Sequence, residues 1–105
     1  MNEISVEELA QWRSSGKKFV LLDVRTPREI AIVSLPDSTN IGMHELVART
    51  GELDPHAEIA VICHSGNRSG FVTEILTRRG FEHVYNVAGG IDAYAARVDP
   101  SLARY

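Results

Sequence analysis

The sequence predicts an α/β fold with a mainly parallel sheet and helices on both faces. Two continuous apolar runs, residues 19–22 and 59–62, are typical of strands buried on both faces, as in parallel sheets. Helical segments alternate with these runs, which is the pattern of α/β folds. Asp23 and Cys63 follow directly after the two runs. In such sheets ligands bind beyond the carboxyl ends of the strands, so these two residues are the first candidates for a site.

Local signals divide the chain into elements. Ser5 with Glu8 fits a capping box, and Thr26 followed by Pro27 fits a second helix start. The predicted elements, in chain order, are helix 5–14, strand 19–22, a helix from 26, a weak strand 39–41, helix 43–50, strand 59–62, a helix opening near 69, strand 83–87, helix 91–97 and an irregular tail 99–105.

The helix that opens near residue 69 is predicted to bury one apolar face. Phe71, Val72, Ile75 and Leu76 recur at the three- and four-residue spacing of a helix, and Gly80 follows the helix end. We therefore expect these four side chains to lie against the sheet.

Composition limits the classes of protein to consider. The 105 residues fit a single domain over 1–105, with 44% hydrophobic and 24% charged residues. The net charge of −3 and the absence of a basic run argue against a nucleic-acid partner. The acidic start is unlike a secretory signal, and the apolar runs are too short to span a membrane. One cysteine fits a reducing compartment, so we expect a cytoplasmic protein without membrane partners.

The loop from Cys63 to Arg68 carries the main chemical signal. Cys63 ends a buried strand, and the polar loop after it opens a helix near Ser69. Loop N–H groups and the helix dipole favour negative charge there, Gly66 permits unusual backbone angles, and Arg68 adds a positive charge. These features lower the pKa of a cysteine and favour the thiolate, which is the nucleophilic form. A buried structural cysteine is the alternative, but a core cysteine needs none of these features.

Five segments in order resemble the rhodanese family. They are Asp23-Val24-Arg25-x-Pro27-x-Glu29, Pro36 with Asn40-Ile41, Cys63-x-x-Gly66-x-Arg68-Ser69, Gly80-Phe81, and Val84-Tyr85-Asn86 to Ala88-Gly89-Gly90-Ile91. Two departures concern subfamily and partner: 33–38 replaces a Gly-His-Ile-Pro-Gly-Ala stretch, and Tyr94 stands where the closing helix often has Trp.

The resemblance implies a five-stranded rhodanese-like sheet and transfer of sulfane sulfur from a donor such as thiosulfate to a thiophilic acceptor. It implies that Cys63 is the nucleophile and carries the sulfur as a persulfide. The residues expected to cradle the substrate are His64, Ser65, Gly66, Asn67 and Arg68, and those expected to support the loop are Asp23, Arg25 and Ser69. The tail 99–105 resembles rhodanese domains fused to sulfur-carrier adenylating enzymes, which makes a thiol or a sulfur-carrier protein the expected acceptor. No metal or organic cofactor is implied.

Three other functions compete with sulfur transfer. The loop from Cys63 to Arg68 is one residue shorter than in related dual-specificity phosphatases, which favours sulfur over phosphoryl transfer. A non-catalytic docking or regulatory module is a second alternative, although such domains often lack the cysteine. A thiol redox sensor is the third, but it would need an outside thiol because the chain has no second cysteine.

Several side chains around the loop have two possible roles. Arg68 either binds the anionic substrate or pairs with Asp23 or Glu29 and shapes the loop. His64 is expected to point to solvent, and Ser69 to lie at the cap or in the first turn of the helix. Asp23 and Arg25 are expected to pair with neighbours beneath the loop.

Overall fold

The computed structural model describes residues 2–105 and has eleven elements among them. They are β1 Glu3–Ile4, α1 Val6–Ser14, β2 Val20–Asp23, α2 Pro27–Ile32, β3 Ser38–Asn40, α3 Met43–Arg49, a 3₁₀ turn Thr50–Glu52, β4 Ile59–Ile62, α4 Asn67–Arg78, β5 Val84–Val87 and α5 Gly90–Arg97. Both predicted helix starts are confirmed as reciprocal capping boxes, one at Ser5 with Glu8 and one at Thr26 with Glu29.

The five strands form one sheet in the order β1-β5-β4-β2-β3, and every neighbouring pair is parallel. The sheet is thus wholly parallel, where the sequence predicted a mainly parallel one. β4 lies at the centre, with all four of its residues buried. Asp23 pairs with Ile62 in the register of β2 against β4, so the carboxyl ends of these two strands meet at one edge. That edge is where Cys63 follows β4.

Helices cover both faces of the sheet, as the sequence predicts. Alternate strand residues point to opposite faces, so neighbours in β2 enter different cores. Leu22 joins a core with α3 and α4, while Leu21 joins a core with α1 and α5. No helix within residues 2–105 has the length and apolar character needed to cross a bilayer.

Three sequence predictions need correction. β1 was not predicted, because its two residues, one of which is the exposed Glu3, show no strand pattern. β1 joins the sheet by pairing with β5. α4 begins at Asn67, two residues before the predicted start. Phe71 is 53% exposed and Ile75 only partly buried, whereas Val72 and Leu76 are fully buried. The buried face of α4 is completed instead by small polar residues, among them Thr73.

Candidate active site

Cys63 lies at the floor of a short loop between β4 and α4. It is 1% exposed and packs in the core shared by β4, α3 and α4. The loop residues after it turn the chain so that α4 begins at Asn67, with its first turn beside the sulfur. The N-terminal end of a helix carries partial positive charge, so this position favours an anion on the sulfur.

Three groups approach the Cys63 sulfur within hydrogen-bond distance. The Gly66 N–H donates to Sγ at 3.1 Å and the Ser69 N–H at 3.4 Å. The Ser69 hydroxyl oxygen lies 3.2 Å from Sγ. Burial raises the pKa of Cys63, but the contact with the Ser69 hydroxyl and hydrogen bonds from the backbone at Ser69, Gly66 and Ser65 outweigh burial and lower the pKa below its ordinary value. The site therefore favours the thiolate.

Two glycines allow the loop to take this shape. Gly66 has φ of 106°, a left-handed conformation that favours glycine, and this turns its N–H toward the sulfur. Gly90 lies against the loop from outside, where a Cβ would clash with the carbonyl oxygens of Cys63 and His64. This close approach lets the Ile91 N–H donate to the Cys63 carbonyl at 2.8 Å. The start of α5 thus binds the carbonyl groups of Cys63 and His64 through the N–H groups of Ile91 and Asp92.

Arg68 is held by Glu29 of α2. Its two terminal nitrogens donate to the two carboxylate oxygens at 2.6 and 2.8 Å. The hydrogen bond from Arg68 is the main reason that the pKa of Glu29 lies well below its usual range, and the same contact raises the pKa of Arg68. Of the two roles open for Arg68, the structure shows pairing with a carboxylate, and the partner is Glu29 rather than Asp23. Arg68 nevertheless remains 31% exposed at its side chain, within reach of solvent anions.

Asp23 and Arg25 form a fully buried ion pair at the end of β2. Arg25 Nη2 lies 2.8 Å from Asp23 Oδ2, and the same nitrogen donates to the Val33 carbonyl at 2.7 Å. Arg25 Nη1 also donates to the Tyr105 hydroxyl at 3.0 Å. The predicted pairing of both residues with neighbours is confirmed. This pair fixes the chain between β2 and α2, and thereby the position of Glu29.

Comparison with known proteins agrees with this geometry. The rhodanese-like domain family matches residues 5–97. The chain belongs to the rhodanese family. A sulfurtransferase of Allochromatium vinosum is 35% identical over 103 residues, which cover 98% of this chain and 96% of that protein. A rhodanese-related protein of Thermoplasma volcanium has a structure with a TM-score of 0.85 at 31% identity, covering 93% of this chain and 94% of that one.

A longer relative shows the same domain in a larger context. The adenylyltransferase and sulfurtransferase MOCS3 of Arabidopsis thaliana is 33% identical over 120 residues; these cover 99% of this chain but 26% of that protein. The rhodanese fold and the sulfurtransferase relatives together support sulfur transfer as the general activity of this chain.

The remaining predicted cradle residues of the rhodanese domain differ in exposure. Ser65 and Asn67 are exposed, and Ser69 lies buried in the first turn of α4, as predicted. The side chain of His64, which was expected to point to solvent, is 31% exposed and lies against Tyr105. Its imidazole stacks on the Tyr105 ring, with centroids 4.2 Å apart and planes at 19°.

Two residues at the site were missed by the sequence analysis. Tyr105 was assigned to an irregular tail, yet its hydroxyl donates to Glu29 Oε2 at 2.6 Å and its ring covers His64. Asn86 belongs to a segment that carried the family resemblance, but no role was assigned to it. Its side chain reaches both Ser69 and Gly66 beneath the loop. Neither contact leaves a local mark in the sequence, because each joins residues at least 17 positions apart.

A cleft of about 100 Å³ opens beside Arg68, between the starts of α2 and α3, with Pro27 and Met43 in its walls. A larger cavity of about 260 Å³ lies where β2 begins and includes no loop residue, so it is not the site suggested by the chemistry. Within residues 2–105, no group of three or more His, Cys, Asp or Glu side chains is placed to hold a metal ion.

Proposed function

We propose that this rhodanese domain moves sulfane sulfur from a small anionic donor such as thiosulfate to a thiol acceptor through a persulfide on Cys63. The observation that carries the proposal is the polar surroundings of Sγ: two backbone N–H groups donate to the buried sulfur, and the Ser69 hydroxyl oxygen lies within hydrogen-bond distance of it. A structural cysteine in an apolar core has no use for such donors, whereas an anionic nucleophile requires them.

The proposed reaction has two displacements at sulfur. The Cys63 thiolate attacks the outer sulfur of thiosulfate, a new S–S bond forms, and the S–S bond of thiosulfate breaks as sulfite leaves with the electron pair. The product is a terminal persulfide anion on Cys63. An acceptor thiolate then attacks that outer sulfur, and the Cys63 thiolate leaves. No net proton or electron enters either step, and two-step covalent catalysis of this kind gives ping-pong kinetics.

The loop is suited to both the thiolate and the persulfide anion of the proposed reaction. The N–H groups of Gly66 and Ser69 are fixed by the glycine turn and by the start of α4, so they need little rearrangement as charge moves. In this proposal His64, Ser65, Gly66, Asn67 and Arg68 form the wall around the outer sulfur. The cleft beside Arg68 provides space for the rest of a donor or acceptor.

The acceptor is proposed to be a thiol or a sulfur-carrier protein. A putative sulfur carrier protein of Bacillus subtilis, YrkF, is 33% identical over 97 residues, covering 92% of this chain and 52% of that protein. Together with the MOCS3 relative, it supports a protein partner of this class. The cytoplasmic location, the single domain over 1–105 and the absence of a cofactor stay predictions from the sequence.

Intact-protein mass spectrometry tests the proposal. Thiosulfate is added to the wild type and to Cys63→Ser. We expect the wild type to gain the mass of one sulfur atom, the variant to gain none, and cyanide to remove the gain. A persulfide donor is tested in parallel, because uptake from it alone would keep the Cys63 carrier and exclude thiosulfate.

Failure to gain sulfur from either donor would overturn sulfur transfer and leave a docking module or a redox sensor. Peroxide then separates these two. A sensor forms a lasting sulfenic acid on Cys63, and a docking module does not.

A further inference from the structure

Asn86 is a buried polar side chain directly behind the loop from Cys63 to Arg68, the sulfur loop. It lies in β5, next to β4, and is 3% exposed. Its amide touches two parts of the loop region, the Gly66 carbonyl and the Ser69 hydroxyl. The backbone N–H groups of the same two residues donate to the Cys63 sulfur. Asn86 is therefore one residue removed from the reacting atom.

The neighbours of Asn86 fix the orientation of its amide. Its Nδ2 lies 3.2 Å from the Gly66 carbonyl oxygen and 3.4 Å from Glu3 Oε2, and an ionised carboxylate and a carbonyl can only accept hydrogen bonds. The nitrogen must face this pair, so Oδ1 must face Ser69. Because an amide oxygen only accepts, the Ser69 hydroxyl has to donate to it, across 2.5 Å.

A hydroxyl has one proton, and Ser69 Oγ also lies 3.2 Å from the Cys63 sulfur. While the Ser69 proton points to Asn86, Oγ presents lone pairs to the sulfur. That arrangement suits a thiol, which can donate its own proton to Oγ. It does not suit a thiolate, which needs the Ser69 proton for itself. The two acceptors therefore compete for one proton.

We propose that Asn86 is a positioning residue that competes with the Cys63 sulfur for the Ser69 hydroxyl proton and so restrains ionisation of Cys63. The inference rests on the proposed role of Cys63 as nucleophile. In the free thiolate the Ser69 hydroxyl turns to Sγ. In the persulfide the negative charge sits on the outer sulfur, so the proton returns to Asn86. Ser69 therefore stabilises the Cys63 thiolate less than it would in the absence of Asn86. When the persulfide forms, the Ser69 hydroxyl exchanges one acceptor for the other, so little hydrogen-bond energy is lost.

Within residues 2–105, no other charged group near Cys63 forms a hydrogen bond with the Ser69 hydroxyl. Arg68, in the sulfur loop, is paired with Glu29 of α2. His64 of the sulfur loop lies 3.9 Å from Asp92, at the start of α5. Glu3 of β1 faces the side-chain nitrogen of Asn86. The Asp23–Arg25 pair lies at the end of β2. A test must separate the competition for the Ser69 proton from the other contacts of Asn86, which are with Gly66 and Glu3.

A double-mutant cycle does this. The pKa of Cys63 is measured from the pH dependence of its alkylation by iodoacetamide, and the single cysteine makes the signal unambiguous. We expect Asn86→Ala to lower the pKa of Cys63 by about one unit, which raises the thiolate fraction about tenfold below the pKa. In a Ser69→Ala background, Asn86→Ala should leave the pKa of Cys63 unchanged, because there is no proton to contest.

An equal shift of the Cys63 pKa in both backgrounds would mean that Asn86 only shapes the loop, and this result would overturn the proposal. An unchanged or raised Cys63 pKa for Asn86→Ala in the wild-type background would overturn it as well. Should Asn86→Ala fail to fold, ¹³C NMR of the Asn86 carboxamide in the unaltered chain decides. We expect its signal to follow the titration of Cys63, and an unresponsive signal would refute the proposal. No sulfur donor is present in either measurement, so their failure is separate from any failure of sulfur transfer.

Discussion

At the scale of single residues, the site depends on how its charges are paired. Arg68 is the one full positive charge in the sulfur loop, yet both of its terminal nitrogens are bound to Glu29. The field at Cys63 is therefore supplied mainly by backbone N–H groups, with Arg68 acting to hold the loop. Sequence reasoning named Glu29 as one of two possible partners, because two carboxylates were available and nothing local chose between them. In the structure Asp23 is paired with Arg25, which leaves Glu29 as the partner of Arg68.

Replacing Glu29 tests this role. We expect Glu29→Gln to lower the free energy of unfolding by about 1–3 kcal/mol at neutral pH, since it removes a charged hydrogen-bond partner from Arg68. The pKa of Glu29 is depressed in the folded state, so its contribution is present above the ordinary carboxyl value of 4.5 and is lost as the pH falls below it. The difference between wild type and variant should shrink in acid.

Urea unfolding at several pH values measures this difference. Glu52→Gln is a matched control, because Glu52 pairs with Arg49 in the same bidentate way but on the open surface. Its effect should be much the smaller of the two. Equal effects of the two substitutions, or a Glu29→Gln deficit that persists in acid, would contradict the importance given to the Glu29–Arg68 pair.

At the scale of elements, local signals succeeded where the contacts are local. Capping boxes and continuous apolar runs located α1, α2, β2 and β4, because these patterns act within a few residues. The limits of this reasoning appear in α4. Apolar spacing placed Phe71 on the buried face, but Ser69 and Thr73 complete the face that packs on the sheet, and Phe71 is left exposed. Apolar spacing could not show this, because small polar residues on a buried face carry no apolar signal.

Substitutions in α4 should separate its two faces. We expect Phe71→Ala to change the free energy of unfolding by less than about 0.5 kcal/mol, since an exposed side chain loses little on truncation. Leu76→Ala should cost about 2–5 kcal/mol, because Leu76 is fully buried between α4 and the sheet. Urea unfolding monitored by circular dichroism measures both. A loss for Phe71→Ala close to that for Leu76→Ala would show that Phe71 packs inward.

At the scale of the whole molecule, the site is closed by residues far apart along the chain. Tyr105 contacts Arg25 and Glu29 across 80 and 76 positions, and it stacks on His64. β1 pairs with β5 across a similar span. Sequence patterns do not encode such contacts, because they depend on the complete fold, which brings together residues that are far apart along the chain. For this reason the family, the sheet and the loop were predictable, and the tail and β1 were not.

Tyr105 joins the two ends of the sulfur loop, His64 by stacking and Arg68 through Glu29, and substitutions can separate these two connections. Tyr105→Phe keeps the ring but removes the hydroxyl, which should cost about 1 kcal/mol of unfolding free energy. Tyr105→Ala also removes the stacking, an aromatic contact worth about 0.5–1.5 kcal/mol more. Hydrogen exchange should then accelerate in residues 63–68 for Tyr105→Ala, less for Tyr105→Phe, and not in α1, which holds none of the hydrogen-bond or stacking partners of Tyr105. Acceleration spread evenly over the chain would indicate global destabilisation, and an unchanged loop would show that the tail rests on the site without ordering it.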